Sequence, residues 1–397
     1  MKNSKFTLFI EINKSNFIFV VTENDDQDNF KIIYKLEAPI IGFDNNSISD
    51  YKKVFDTIKK SIYEIEKKVD FVFNEAVIIL DNFCFNFINI SGYKNLNGSQ
   101  VLRENVTYIL NQLKSYVEKI ESKKTIIHMF NTNFYLDKKN NDNLPIGLFG
   151  DFYSHELSFS LIDKNDYKNL KHIFEKSNLK IKKILLKSFV KGAYTSKTNS
   201  KTDSFFQIHL GNENCKIFFF ENNSLIFEQI FNFGVNIIIK DISKLTSLKE
   251  DIVKNILRKI QFNEKLDEEI LEKEFFIDLS FRKIKKKFIY EIIMARIEEI
   301  INIILLKNIN CQYYKNQIKT VFFEIDNKIQ FYSFKELIKN NFLKRKDMDI
   351  KFLENVLDEG AFNTAREIVH FGWKKEAIPV THFKKSIIAR FFDAIFG

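Results

Sequence analysis

Residues 6–37 read FTLFIEINKSNFIFVVTENDDQDNFKIIYKLE. Three apolar, β-branched or aromatic runs, FTLFIEI, FIFVVT and FKIIYKLE, are divided by the polar turns NKSN and ENDDQDN. That pattern predicts a three-stranded β-meander. Residues 50–68, DYKKVFDTIKKSIYEIEKK, then change period from two to 3.6 and predict an amphipathic helix with Val54, Ile58, Ile62 and Ile65 inward. A second meander is predicted at 205–233, in FFQIHL, CKIFFF and LIFEQIFNF, with turns GNEN and ENNS. Its first turn matches that of the first meander in position and polarity, and a helix-rich region, 241–310, follows.

One plan therefore occurs twice, a β-meander followed by helices. The expected fold is α/β and two-lobed, of the actin-like (ribonuclease H-like) kind, with a cleft between lobes. Two unrelated meanders are the plainer alternative. Between the repeats, 73–161 predicts a small inserted α/β subdomain. It has strands at Ala76–Leu80, Phe83–Ile90, around Ile126–Phe130 and around Ser158–Ile162, and a helix over Ser99–Ile120. Residues 164–179 predict a helix, and the apolar KIKKILLKSF returns the chain to the first lobe. Lys319–Ile325 reads as a strand, and Phe331–Phe342 and Ala361–His370 as helices.

The chain has 397 residues, enough for two or more domains with sizeable cores. Its 44 Phe, with 3 Pro and 11 Gly, point to a codon bias, so the Lys and Asn excess is not by itself a binding signal. The formal charge of +9 favours acidic partners, yet no basic cluster interleaved with aromatics forms a nucleic-acid motif. Cys84, Cys215 and Cys311 are far apart and odd in number, which suits a reducing cytosol and suggests neither a disulfide framework nor a metal site. No signal peptide is expected at the start, and no uncharged apolar run is long enough to cross a membrane.

The last residues, His382 to Gly397, read HFKKSIIARFFDAIFG. At about 100° per residue, Phe383, Ile387, Phe391 and Ile395 form one row, and Ile388, Phe392 and Phe396 a second beside it. Ser386, Arg390 and Asp393 fall opposite, Lys385 sits at the edge, and Lys384 would snorkel out of the apolar face. This C-terminal amphipathic helix is too short to span a bilayer but suits the headgroup boundary of an anionic membrane. A helix docked on the protein's own core is the plainer alternative. The terminal position, the preceding segment with Pro379 and the clustered Phe favour the membrane. Burying the seven large apolar side chains of the two rows could release about 10 kcal/mol before ordering costs, a reversible hold that many linked copies would strengthen.

An actin-type cleft needs two turns that cradle phosphates, a Gly-rich loop near the adenosine and carboxylates for Mg²⁺ and water. The first turn here is Glu11-Ile12-Asn13-Lys14-Ser15-Asn16, without glycine. The second is His209-Leu210-Gly211-Asn212-Glu213-Asn214, with one, and the third region, Phe323–Lys328, has none. Asn tolerates positive φ, so the turns can keep their shape, but each Cβ narrows the cradle. Glu11 could hold a metal-bound water or be an exposed turn carboxylate; His209 could act as a base or be structural. No Ser/His/Asp, Cys/His or metal-spaced cluster is found, so no catalytic or metal-ligating residue is assigned.

These features together resemble FtsA, the family of actin-like bacterial cell-division proteins that tether FtsZ filaments to the membrane, over nearly the full length. Asn143-Leu144-Pro145-Ile146-Gly147-Leu148-Phe149-Gly150 resembles the family's N-P-x-G end of the inserted subdomain. Asp166–Ser196 resembles its helix, strand and connecting segment. Phe362-Asn363-Thr364-Ala365 with His370-Phe371-Gly372 resembles its late S-T-A…Y-G segment, and the tail its membrane-targeting helix. The resemblance implies subdomain 1A over 1–72, 162–200 and 359–373, inserted subdomain 1C over 73–161, subdomain 2A over 201–242 and 319–358, and subdomain 2B over 243–318. A linker, 374–381, and the membrane-targeting helix, 382–397, complete the expected organisation.

The departures bear on nucleotide. Where the family has E-I-G-T, this chain has Asn13 and Lys14 in the last two places; where it has D-x-G-G-G-T, this chain has His209, keeps Gly211 and continues Asn212, Glu213, Asn214. The family's T-G-G falls on Phe323, Glu324 and Ile325, and the Thr before its D-I-A segment on Ile239, with Asp241 kept. A degenerate nucleotide site follows as an expectation, with Glu11, Asn13, Ser15, Gly211 and Asn214 at its positions and ATP with magnesium as the doubtful cofactor. The family binds the FtsZ tail on subdomain 2B, where Ala295-Arg296-Ile297-Glu298-Glu299-Ile300 resembles its R-x-x-E helix. Arg296 and Glu299 share a face, below Lys285, Lys286 and Lys287, and Arg suits an acidic peptide. A solvated face with an internal Arg–Glu pair is the alternative. The expected function is a non-enzymatic, peripheral adaptor anchoring FtsZ (the Z ring) to the cytoplasmic face of the bacterial inner membrane at the division site. Its expected contacts are Phe383, Lys384, Lys385, Ile387, Ile388, Arg390, Phe391, Phe392, Ile395 and Phe396 on anionic lipid, and Arg296 and Glu299 on the FtsZ C-terminal tail. Further partners are itself, through filament contacts of 73–161, and other division proteins, with no nucleic acid. The alternatives are an ATP-hydrolysing actin-like enzyme and an actin-like scaffold of a pilus or secretion machine.

Overall fold

A computed structural model describes residues 6–377 apart from 25–29, 45, 82, 200–201, 264, 267–268, 277–279, 316–317, 327–328, 344–347 and 354–357. The chain divides into two compact units, Met1–Leu186 with Ile368–Gly397, and Lys187–Glu367.

In the first unit, β1 (Phe6–Ile12), β2 (Asn16–Asn24) and β3 (Phe30–Pro39) form the expected antiparallel meander. A ribbon of β4 (Phe43–Asp44) and β5 (Ser47–Ile48) leads to α1 (Tyr51–Val69) and β6 (Glu75–Leu80). The inserted segment supplies β7 (Phe85–Asn95), α2 (Arg103–Ile120), β8 (Lys124–Leu136), β9 (Lys139–Asn141) and β10 (Phe152–Asp163). Its sheet has the order β7-β10-β8-β9. Then α3 (Lys164–Lys176) and β11 (Lys180–Leu186) return the chain to the first sheet, whose order is β3-β2-β1-β6-β11 with β6 and β11 parallel to β1. Val54, Ile58, Ile62 and Ile65 of α1 are all buried, as their spacing requires. Asp50 caps that helix by accepting from the Lys53 N–H at 3.1 Å.

The second unit opens with α4 (Lys187–Thr198), followed by the meander β12 (Phe205–Leu210), β13 (Cys215–Glu221) and β14 (Ser224–Phe231). Helices α5 (Asn236–Thr246), α6 (Glu250–Lys259), α7 (Lys286–Ile301) and α8 (Ile309–Lys315) precede β15 (Thr320–Ile325). The chain ends this unit with α9 (Phe334–Leu343), β16 (Asp349–Phe352) and most of α10 (Asp358–Phe371). The sheet order is β14-β13-β12-β15-β16, with β15 and β16 parallel to β12. This is the strand order of the first unit repeated: a meander extended by two parallel strands. The duplication read from the two meanders is thus carried through both sheets, and the fold is α/β and actin-like.

Differences from the expected elements have local causes. The helix expected from Ser99 begins at Arg103, because Val101 exchanges hydrogen bonds with Leu148 (2.9 Å) and Gly147 (2.8 Å) and so belongs to an extended pair. The helix that carries Ala295–Ile300 starts at Lys286 and widens to π-helical geometry at Asn302–Leu306. Both α4 and β16 have no counterpart among the expected elements.

Candidate functional site

The first turn, between β1 and β2, closes on itself. The Asn13 N–H donates to the Asn16 carbonyl (3.1 Å), and the Asn13 Oδ1 accepts from the N–H groups of Ser15 (2.8 Å) and Asn16 (2.7 Å). A carboxamide thus sits where an anion cradle would present backbone donors. No residue of this turn has positive φ. Asn therefore shapes it through its side chain, not through the left-handed tolerance expected from its type. Glu11 lies inside β1 and is 3 % exposed, so the exposed-carboxylate alternative does not hold. Its Oε1 accepts from Asn13 Nδ2 at 3.4 Å. Asn13 is half-buried and Ser15 exposed.

The second turn, between β12 and β13, is closed by the helix after the meander. The Gly211 N–H donates to the Asn214 carbonyl at 3.0 Å. The Gly211 and Asn212 carbonyls accept from the N–H groups of Val235 (2.9 Å) and Asn236 (3.0 Å), and Asn236 Nδ2 donates to Glu213. The first donors of α5, which would otherwise favour an anion, are thus spent on the turn. A Cβ at Gly234 would fall on the carbonyl oxygens of Gly211 and Asn212, so glycine is needed for this approach.

Behind that turn lies a buried polar cluster that the sequence did not reveal. Lys191 on α4 pairs with Glu324 on β15 at 2.6 Å, both side chains being at most 15 % exposed. Gln207 Nε2 is 3.4 Å from Glu324 Oε2, and Gln207 Oε1 accepts from Thr195 Oγ1 at 2.9 Å. His209 Nδ1 is 3.5 Å from Glu324 Oε1, at the limit of a hydrogen bond. Burial works against ionising Glu324, but the Lys191 charge and His209 override it and hold the carboxyl well below its usual range. His209, weighed as a base, belongs to this structural cluster. Glu324 fills a place of the expected adenosine loop with a strand residue in an ion pair.

Arg296 and Glu299 do share a face, and Arg296 is doubly engaged. Its Nε donates to Asp241 on α5 at 2.5 Å and its Nη1 to Glu299 at 2.6 Å. Upstream, Lys286 is buried between Glu269 (3.1 Å) and Glu272 (2.6 Å). The internal Arg–Glu pair weighed against peptide capture is therefore present, joined by Asp241.

All the expected membrane contacts, from Phe383 to Phe396, lie outside the described residues. The described chain ends at Ala377, and its approach is informative. Residues 374–377, expected to begin a linker, lie along β8: Asn131 N–H donates to the Lys375 carbonyl and Ala377 N–H to that of Met129, each at 2.7 Å. Glu376 fastens this strap through His128 Nδ1 (3.0 Å) and Lys183 Nζ (2.5 Å). The Leu186 N–H donates to His128 Nε2 at 3.2 Å, so Nδ1 carries the proton and the imidazole is neutral. Burial lowers the His128 pKa accordingly. Among the described residues no helix is long and apolar enough to cross a membrane, and no group of His, Cys, Asp and Glu is placed to hold a metal.

No protein-family model matches the chain. The chain is similar to the cell division protein FtsA of Bacillus subtilis (strain 168), 23% identical over 312 residues that cover 77% of this chain and 70% of that protein. It is similar to the cell division protein FtsA of Buchnera aphidicola subsp. Acyrthosiphon pisum (strain APS), 21% identical over 255 residues covering 64% of this chain and 60% of that relative. The latter match thus spans less than two thirds of the relative's length. Among solved structures, a chain of a PilM–PilN type IV pilus biogenesis complex superposes with a TM-score of 0.57 at 8% identity, over 92% of this chain and 98% of that one. At such identity the likeness is one of fold alone.

Proposed function

We propose that the chain, similar in sequence to FtsA proteins and actin-like in fold, serves cell division as a non-enzymatic adaptor. It anchors FtsZ to the cytoplasmic face of the membrane at the division site and gains grip by self-association through its inserted subdomain. The relatives named as cell division proteins support the process. The amphipathic pattern of 382–397 supports the peripheral hold. The FtsZ tail, an acidic peptide, is assigned to the α7 face bearing Arg296 and Glu299, where capture would exchange one carboxylate partner of Arg296 for another.

One observation carries the adaptor reading over an ATP-hydrolysing one. The Asn13 carboxamide occupies the backbone donors that a phosphate would need. Loss of glycine would only crowd the cradle, whereas here the donors themselves have acceptors. The expected result of calorimetric titration with Mg-ATP is no binding heat in the micromolar range. Micromolar affinity would overturn the degenerate site and favour the enzyme. The pilus protein's likeness is confined to the fold and lends no support to a pilus role.

The adaptor reading is tested by co-sedimentation with vesicles containing anionic lipid. The full chain is expected in the pellet and to bring FtsZ with it. A chain ending at Thr381 is expected in the supernatant, with partition lowered by about two orders of magnitude or more given the apolar area lost. Equal sedimentation of the two would sink the tether.

A further inference from the structure

Beside the strap, the first unit contains a cavity of about 1100 Å³. Its apolar side is formed by Ile126, Ile127 and Met129 of β8 together with Ile368 at the end of α10, and Trp373 forms part of its wall. Five lysines line it, at 114, 124, 164, 183 and 374, against two glutamates, at 118 and 376. Glu376 is committed to Lys183 and His128, Glu118 lies 3.8 Å from Lys114, and Lys124 pairs at 2.9 Å with Glu121 just outside the lining, so the excess rests on Lys164 and Lys374. The lining therefore keeps a cationic excess over an apolar floor. Phe371, also in the lining, is 73 % exposed.

What covers such a groove must be anionic and partly apolar. Residues 378–397 leave from Ala377, itself in the lining, so they are at hand. Their charge argues against them as occupant: Lys384, Lys385 and Arg390 outnumber Asp393, the same sign as the groove. Segment and groove carry net charge of the same sign, which disfavours their pairing and suits both to an anionic surface. His382 follows Ala377 by five residues, a reach of at most about 18 Å. A membrane holding the amphipathic segment would thus lie within reach of the groove.

We propose that this groove binds the headgroup and upper acyl chain of an anionic phospholipid, as a second membrane contact that orients the first unit on the bilayer. The inference rests on the tether reading and adds to it: the body docks on lipid and is not merely leashed to it. Lys164, whose Nζ is 3.5 Å from the Ser122 carbonyl, meets the phosphate together with Lys124, which exchanges its Glu121 partner for it, while Ile126, Ile127 and Trp373 receive the glycerol and first methylenes.

Trp373 is the sole tryptophan of the chain, so its fluorescence reports the groove alone. The full chain is titrated with soluble dihexanoyl phosphatidylglycerol, and separately with vesicles of phosphatidylcholine and phosphatidylglycerol brominated along the acyl chains. The expected result is a blue shift of Trp373 with the soluble lipid and quenching by the brominated vesicles. Lys124→Glu/Lys164→Glu is expected to weaken the soluble-lipid response on the order of tenfold with an unchanged far-UV spectrum; Lys124→Gln/Lys164→Gln gives a smaller loss of the same sign. A chain that sediments with vesicles while Trp373 stays unmoved by either lipid form overturns the groove and leaves the tether standing. A chain whose Trp373 responds to the soluble lipid but which fails to sediment keeps the groove and sinks the tether. An equal response to inorganic phosphate, or to soluble polyglutamate, overturns the lipid assignment in favour of a plain anion or an acidic peptide.

Discussion

Lys191→Met is expected to destabilise the second unit by about 3–5 kcal/mol at pH 7, the range for stripping one partner from a buried ion pair. The Glu324 carboxylate would keep only Gln207 at 3.4 Å and His209 at 3.5 Å, with its side chain 13 % exposed. The pH dependence distinguishes this from lost packing of the lysine stem. Glu324 has its pKa depressed in the fold, against burial, by Lys191 and His209. A carboxyl depressed on folding adds stability above its unfolded pKa of about 4.3, and that stability is lost as pH falls through the folded value. The difference between wild type and Lys191→Met is therefore largest near neutrality and narrows below about pH 4.3. Urea unfolding at pH 7 and in mild acid measures it, and a gap of constant size would assign the loss to packing. Lys191→Met/Glu324→Leu, which removes both charges, is expected to recover much of the stability.

Gly192→Val, one residue further along α4, is expected to cost about 3 kcal/mol or to prevent folding of the second unit. A Cβ at Gly192 would lie on the Phe220 ring, 2.5 Å from Cδ2 and 2.6 Å from Cζ. Phe220 has no room to yield: it is fully buried and stacked on Phe205 at 5.5 Å between centroids. Gly192 is needed for close approach and not for a left-handed backbone, since its φ is not positive. Gly192→Ala should therefore be nearly as costly as Gly192→Val, although alanine is the better helix former. A stability gain in Gly192→Ala, read from the thermal melt, would contradict the contact.

These two residues also mark where the sequence stopped being legible. The segment Lys187–Thr198, KSFVKGAYTSKT, mixes glycine, β-branched residues and serine, none of which favours a helix. It is nonetheless helical, and buries Phe189, Val190, Gly192 and Ala193. Tertiary packing outweighed propensity there. The meanders were legible because alternation and turn chemistry act within a few residues, and so were the four buried positions of α1, whose period is local. The hold of Glu376 on the strap was not, because its partners His128 and Lys183 are 248 and 193 residues away in sequence.

The sequence alone determined that the chain carries two β-meanders of one plan, that the first turn has no glycine and the second only Gly211, and that the final stretch can form one apolar face. These are matters of residue type and short-range period. Only the tertiary structure decided how the turns are closed, because the acceptors of their amides are set by the path of the backbone: a carboxamide in the first turn, and a helix start brought against the second. It alone decided that Arg296 is shared between Asp241 and Glu299, and that lysines from α2, β8, α3 and β11 meet around one groove. Charges distant in sequence become neighbours only when the sheets bring their strands together.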